Sequence, residues 1–264
     1  MNKPHWLRLL KFRLDYFLRY IEAFGLADAV RTIHTTRMRS VKKGDVVSVL
    51  PPGFKSEVAI RHGTSDISVF EKIFVWKEYA MIVDHPVRTI VDCGGNIGLS
   101  AVWFTVAYPA ARVIAIEPDA ENFKLLCRNT EAYANIVPVQ RAIWNRPCRL
   151  RVENPEAEPH SFRFVECPAG AADGVDACDL DTVRKDYQLD GFDILKMDIE
   201  GAEQAVFSEN FDGWLNVTRM LIIEFHGEEK KRIAKAALSR FSWRHFVSGE
   251  NDCFIRSGGK EEIE

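Results

Sequence analysis

The chain has 264 residues, 47% apolar and 28% charged, enough to bury one sizeable core and near the upper end of what a single α/β domain takes. Its formal net charge of -3 excludes a general nucleic-acid binder, which needs a surplus of Lys and Arg to neutralise phosphates. The six cysteines lie far apart, with neither a Cys-x-x-Cys pair nor zinc-ligand spacing, as expected of a reduced, cytoplasmic protein.

No apolar run approaches the roughly 20 residues of a membrane-spanning helix, and Arg8, Lys11, Arg13 and Arg19 interrupt the first one, so neither a span nor a signal peptide is expected. Leu7, Leu10, Leu14, Phe17 and Ile21 recur at steps of three and four, which predicts an amphipathic helix over residues 6–24. Met1 to Asp45 hold ten Lys or Arg against four Asp or Glu. Two uses are open to this basic helix. It packs on the domain or on a twin subunit of a homodimer, or it docks peripherally on an anionic membrane surface or an acidic substrate. Residues 1–50 are read as an N-terminal helical extension and 51–264 as the main domain, with its core at 86–227.

After the turn Pro51-Pro52-Gly53, Lys55 to Arg61 alternate as a strand, and Thr64-Ser65-Asp66 are placed to cap a helix from Ile67 to about Tyr79. From Thr89 the pattern changes to short continuous apolar runs separated by helical stretches: Thr89-Ile90-Val91, Val113 to Ile116, Ile136 to Val139, Phe192 to Ile199 and Met220 to Phe225. Such runs suit parallel strands buried on both faces, which predicts a doubly wound, mostly parallel α/β sheet. Between Trp144 and Asp179, Arg149 to Val152 and Ser161 to Val165 alternate around a Pro-rich turn, an expected antiparallel hairpin inserted at the sheet edge. Arg240 to Arg256 hold two further strands, and the polar end beyond them is expected to fray.

The first core strand ends in Asp92 and turns through Gly94, Gly95 and Gly98 into a helix from Leu99 to Ala107. A glycine turn at a helix N-terminus lets the backbone approach a nucleotide-like ligand. A dinucleotide fingerprint counted from Gly94 would place glycines where Asn96 and Leu99 stand, so the pyrophosphate pattern fails. The Asp-x-Gly-x-Asn-x-Gly spacing, with Asn96 at its fifth position, suits S-adenosylmethionine. Asp92 accepts from the ammonium of its amino-acid moiety, and Gly94 and Gly98 make room for it. The second strand ends in Glu117-Pro118-Asp119, where Glu117 is placed to accept both ribose hydroxyls and Pro118 to offer an apolar face to adenine. After the third strand, the backbone of Arg141 or Ala142 falls beside the adenine by position alone.

The fourth strand terminates in Asp198-Ile199-Glu200-Gly201-Ala202-Glu203 and the fifth in Glu224-Phe225-His226. Carboxylates gathered at the carboxyl edge of such a sheet need partners or a use. Glu203 fits a helix cap, whereas Asp198 and Glu200 point to chemistry. His226, with an unperturbed pKa near 6.5, is a candidate to take the proton of an acceptor hydroxyl, as is Asp198. A divalent cation held by Asp198, Glu200 and His226 is the alternative way to acidify that hydroxyl.

Val91 to Gly98, Glu117-Pro118-Asp119 with Asn122-Phe123, and Lys196 to Glu203 together resemble the FkbM-type methyltransferases. Arg61 to Ile67 and Glu224-Phe225-His226 extend the resemblance over residues 55 to 227. It implies a class I methyltransferase (Rossmann-like) fold, with Thr64 and Asp66 closing over the cofactor. It also implies O-methylation of a sugar hydroxyl in a bacterial glycan, free or linked to a nucleotide or lipid, or of a macrolide or polyketide. A nicotinamide-dependent oxidoreductase and a non-catalytic S-adenosylmethionine-binding subunit are the competing readings. The broken dinucleotide spacing weighs against the first, and the acids at the strand tips against the second.

Overall fold

The computed structural model describes residues 5–81, 83, 85–153 and 164–257. Ser161 to Arg163, the Pro-rich turn before them and the polar end after Ser257 lie outside these residues. The chain forms two compact units, Met1–Ala80 and Met81–Glu264. Residues 51–80 thus belong with the N-terminal helices and not with the main domain, as the sequence reading had them.

In the first unit, α1 (His5–Phe24) meets the amphipathic expectation, and Gly25, at φ 75°, breaks it from α2 (Leu26–Thr36). α2 went unread because its buried face is Ala29, Thr32 and Thr36, too small and polar for an apolar stripe. Strands β1 (Val46–Val49) and β2 (Val58–Arg61) pair antiparallel. The helix expected over 67–79 is shorter: α3 (Asp66–Phe70) runs into a π-turn over Glu71–Val75. A row of ring contacts holds the unit together, Tyr20 stacked on Phe24, with Phe24–Phe70 and Phe70–Phe74 tilted, centroids 4.9 to 5.9 Å apart.

The second unit is the predicted doubly wound sheet. Its strands are β3 (Thr89–Cys93), β4 (Arg112–Ile116), β5 (Ile136–Val139), β10 (Phe192–Met197), β11 (Thr218–Glu224), β12 (Trp243–Ser248) and β13 (Asn251–Arg256), in the order β12-β13-β11-β10-β3-β4-β5. The five from β11 to β5 are parallel, and β13 runs antiparallel between β11 and β12. Intervening helices are α4 (Leu99–Ala107), α5 (Ala120–Thr130), α6 (Leu180–Asp186), α7 (Glu203–Val206), α8 (Asp212–Asn216) and α9 (Glu228–Leu238). Alternate residues of each strand face opposite sides. Val91, Cys93, Ile114, Ile116, Leu195, Met197, Leu221 and Ile223 share one apolar cluster with Leu180, Val183, Trp214, Ala234 and Leu238 of α6, α8 and α9. The other side of β3 meets α4, where Asp92 accepts from Ser100.

In place of a lone hairpin, the insert is a four-stranded sheet of β6 (Ala142–Ile143), β7 (Cys148–Val152), β8 (Phe164–Cys167) and β9 (Val175–Cys178), in the order β6-β9-β7-β8. β7 and β8 are the expected antiparallel pair. β9 lies between β7 and the two-residue β6, which is too short to show a period.

Register aligns Ile223, Met197, Cys93, Ile116 and Val139 across the sheet, so the residues that follow them form one row at its carboxyl edge. The chain leaves β3 toward β4 on one side and returns through β10 on the other, which puts the switch point between β3 and β10. There the Asp198 amide donates to the Cys93 carbonyl (3.0 Å), and a Cβ on Gly94 would collide with the Asp198 carbonyl oxygen. Gly94→Ala is expected to cost more than about 3 kcal/mol through overpacking against fixed backbone. Gly170→Ala, where a Cβ meets open space, should stay within about 0.5 kcal/mol. Urea denaturation of the two variants checks the contrast.

Candidate active site

Asp92 and Lys196 are Cα partners in the β3/β10 ladder and therefore stand side by side on the same face. Both are buried, with Lys196 Nζ 3.1 Å from Asp92 Oδ1, and the ammonium also donates to the Gly94 carbonyl (2.7 Å). Asp92 Oδ2 accepts from the Ser100 hydroxyl at 2.5 Å. Buried among these partners, Asp92 shapes the glycine loop and pairs with the ammonium of Lys196, where the sequence reading had it accept, directly or through water, from a ligand ammonium. The glycines likewise serve the protein's own packing. Gly94 admits the Asp198 carbonyl, and Gly98, at φ 86°, caps α4 while pressed against Leu126 and Thr130 of α5.

Beyond Gly94, Asn96 adopts a left-handed φ of 49° and donates its amide to Glu117 Oε2 (2.8 Å), while the Asp119 amide donates to Oε1 (2.9 Å). A carboxylate offers about four acceptor positions, and with the Asn122 side chain taking a third, one remains for a ligand. Burial pushes the Glu117 pKa up to about 7, against the pull of these two backbone bonds. The side-chain oxygen of Asn96 is buried without a hydrogen bond, a second acceptor for a ligand donor beside Glu117. Pro118 is half-buried next to it, and Asp119 caps α5 by accepting from Glu121 and Asn122.

Four other expected residues have partners of their own. Arg141 pairs with Asp186 at 2.7 Å, and Ala142 opens β6, whose ladder is with β9. In the first unit, Asp66 accepts three bonds of 2.8 Å from Arg61 (backbone N, Nε and Nη2), and Thr64 donates to the Arg61 carbonyl at 2.9 Å. These are braces of the turn between β2 and α3.

At the tips of β10 and β11 a cluster forms around His226. Its Nδ1 is 2.8 Å from Oε1 of the fully buried Glu203, and its Nε2 lies 3.3 Å from Glu200 and 3.7 Å from Asp198. Burial pulls the imidazole toward neutrality, but the bond to Glu203 and the charges of Glu203, Glu200 and Asp198 outweigh it and push the pKa up to about 9. His226 is therefore an imidazolium at neutral pH, not the near-neutral base expected from its unperturbed value. Asp198 Oδ1 is buried without a hydrogen bond, and Lys196 stands 3.9 Å from its other oxygen. One ligand atom from each of Asp198, Glu200 and His226 lies within 4.8 Å of the other two. Glu200 holds a left-handed φ of 49°, set by the tight turn into Gly201.

The sequence reading gave no role to Lys196 or Ser100 and saw Glu203 only as a cap. Glu203 does accept from the Gly201 amide (3.2 Å), and the same oxygen orients His226. Lys196 had one visible signal, a lone cation flanked by apolar residues in a strand whose other charge is Asp193.

Among known proteins, the methyltransferase FkbM domain matches residues 92–242. Methyltransferase sdnD of Sordaria araneosa is 25% identical over 199 residues, covering 60% of this chain and 76% of that protein. Methyltransferase 1 of Beauveria bassiana (strain ARSEF 2860) is 27% identical over 182 residues, covering 59% and 68%. The crystal structure of methyltransferase FkbM from Methylobacillus flagellatus KT shares 20% identity at a TM-score of 0.43, over 64% of this chain but only 44% of that one.

Removing one member of the Asp92–Lys196 pair leaves the other charge buried. Lys196→Met is expected to cost about 3–5 kcal/mol, and Asp92→Asn in the same chain to restore much of it. Denaturant titration of the single and double variants reads the coupling.

Proposed function

The chain belongs to the FkbM methyltransferase family, and from that premise we propose that it transfers the methyl group of S-adenosylmethionine to a hydroxyl oxygen of a sugar in a glycan or glycoconjugate. The observation that carries this reading is the juxtaposition at one sheet edge of a nucleoside-type acceptor, Glu117 beside the glycine loop, and the carboxylate cluster of Asp198 and Glu200. The remaining acceptor position of Glu117 and the unpaired Asn96 oxygen fit the donors of that cofactor.

S-adenosylmethionine supplies an electrophilic methyl carbon on a sulfonium centre, whose displacement leaves a neutral thioether. The protein has to align the acceptor oxygen in line with that carbon and take its proton. Asp198 is the residue for the proton, because it abuts the glycine loop and its Oδ1 has no hydrogen bond. His226, held as imidazolium by Glu203, neutralises part of the negative charge of Asp198 and Glu200 and fixes their positions. A sugar fits this edge better than a macrolide. Its neighbouring hydroxyls are donors that several half-exposed carboxylates accept, whereas an isolated hydroxyl on an apolar ring calls for an apolar wall.

Glu117 titrates near neutrality when free, and a ribose hydroxyl donor favours its charged form. Its pKa therefore falls on binding, and affinity for S-adenosylmethionine rises with pH through about 7 and weakens as pH drops below it, by at most about tenfold per unit. Glu117→Gln is expected to weaken binding by about 1.5–3 kcal/mol and to flatten this profile; unchanged affinity by calorimetry would remove Glu117 from the cofactor site.

For the chemical step, Asp198→Asn is expected to lower kcat about 10²–10⁴-fold. Turnover should fall above about pH 9 as His226 loses its proton, and His226→Gln should lack that limb. A rate that instead rises through pH 9 would make His226 the base. If Asp198 takes the proton without a metal at Asp198, Glu200 and His226, dialysis against EDTA is expected to leave turnover unchanged. Loss restored by Mg²⁺ would assign these three residues to the metal.

A further inference from the structure

We propose that α1 carries a docking surface for an anionic lipid bilayer, on which it lies in the interfacial plane. The apolar residues of the helix have different fates along its length. Tyr20 and Phe24 are buried in the first unit, with Tyr16 beside them in contact with Tyr20. Trp6, Leu7, Leu10, Leu14 and Leu18, each between 36% and 63% exposed, fall within an arc of about 120° at 100° per residue. The exposed cations Lys11 and Arg13 border that arc on either side. An apolar stripe flanked by cations is the form that sinks into the headgroup boundary while its charges meet anionic phosphates.

Charge decides between a bilayer and a second copy of the chain. Met1 to Asp45 carry six more cations than anions, in a protein whose net charge is -3. A two-fold dimer through this stripe would set the two basic segments against each other, whereas an anionic surface neutralises both the flanking and the more distant cations. No helix among the described residues is long and apolar enough to cross a membrane, so the contact is peripheral.

The test uses the full chain and two vesicle preparations, pure phosphatidylcholine and phosphatidylcholine with about one-third phosphatidylglycerol. The protein is expected to sediment with the anionic vesicles and not with the neutral ones. Salt should weaken binding, and a blue shift of tryptophan emission on binding should disappear in Trp6→Phe. Leu10→Glu with Leu14→Glu, both on the exposed face and away from Tyr20 and Phe24, should weaken binding at least about tenfold. Lys11→Glu with Arg13→Glu should do the same through charge, each cation contributing roughly fivefold. Failure to bind anionic vesicles, equal binding to both preparations, or a light-scattering dimer that Leu10→Glu/Leu14→Glu reduces to a monomer would overturn the proposal. None of these readouts depends on methyl transfer, so they stand or fall apart from the catalytic reading.

Discussion

The buried pair of Asp92 and Lys196 is the constraint on which the site depends. Parallel strands buried on both faces are built from apolar side chains, and here the ladder sets one anion beside one cation at the switch point of the sheet. Such a pair is weak evidence for stability, because desolvation consumes much of its attraction. Its effect is positional. The ammonium reaches from Asp92 to the Gly94 carbonyl, which fixes where the glycine loop leaves β3. The Asp198 carbonyl then occupies the space a side chain at residue 94 would need, and the Asp198 carboxylate is delivered beside the loop. Displacing one member therefore moves the cofactor loop and the chemical carboxylate together.

The same edge raises two titrations by opposite means. Glu117 is raised because burial penalises its charge and two backbone amides compensate only in part. His226 is raised although burial acts the other way, because three carboxylates surround it. The group near neutrality responds to the ligand that binds it, and the group held charged stabilises the arrangement around it.

How much of this was legible in the sequence follows from what each feature depends on. The core strands and α4 were read closely because continuous apolar runs and a glycine turn are local signals. α2 was missed because it buries Ala29, Thr32 and Thr36, and β6 because two residues show no period. In the site, the tips of β3, β4, β10 and β11 were legible, since every parallel strand ends on the same edge. The roles of individual residues were less so. Whether Asp92 meets a ligand or a lysine depends on the register between β3 and β10, which no local pattern encodes. The shift of His226 depends on Glu203, part of a helix start that closes back on a strand 23 residues later. Gly94 and Gly98 were recognised as necessary for close approach, but what approaches them is the protein itself.

The family match begins at Asp92, so the whole first unit lies outside it. What holds α1 there is a hub at Glu71, whose Oε1 accepts from the Tyr16 and Tyr20 hydroxyls and from Arg37 at 3.1 Å. Burial raises both phenol pKa values, so the two hydroxyls stay protonated and remain donors across the ordinary pH range. With the Tyr20–Phe24–Phe70–Phe74 ring cluster, this hub fixes the C-terminal half of α1. A helix that folds only on contact with its partner gives up part of its binding free energy to ordering. α1 is already ordered through that half, so its outer stripe meets a surface preformed, and that burial is spent on binding alone.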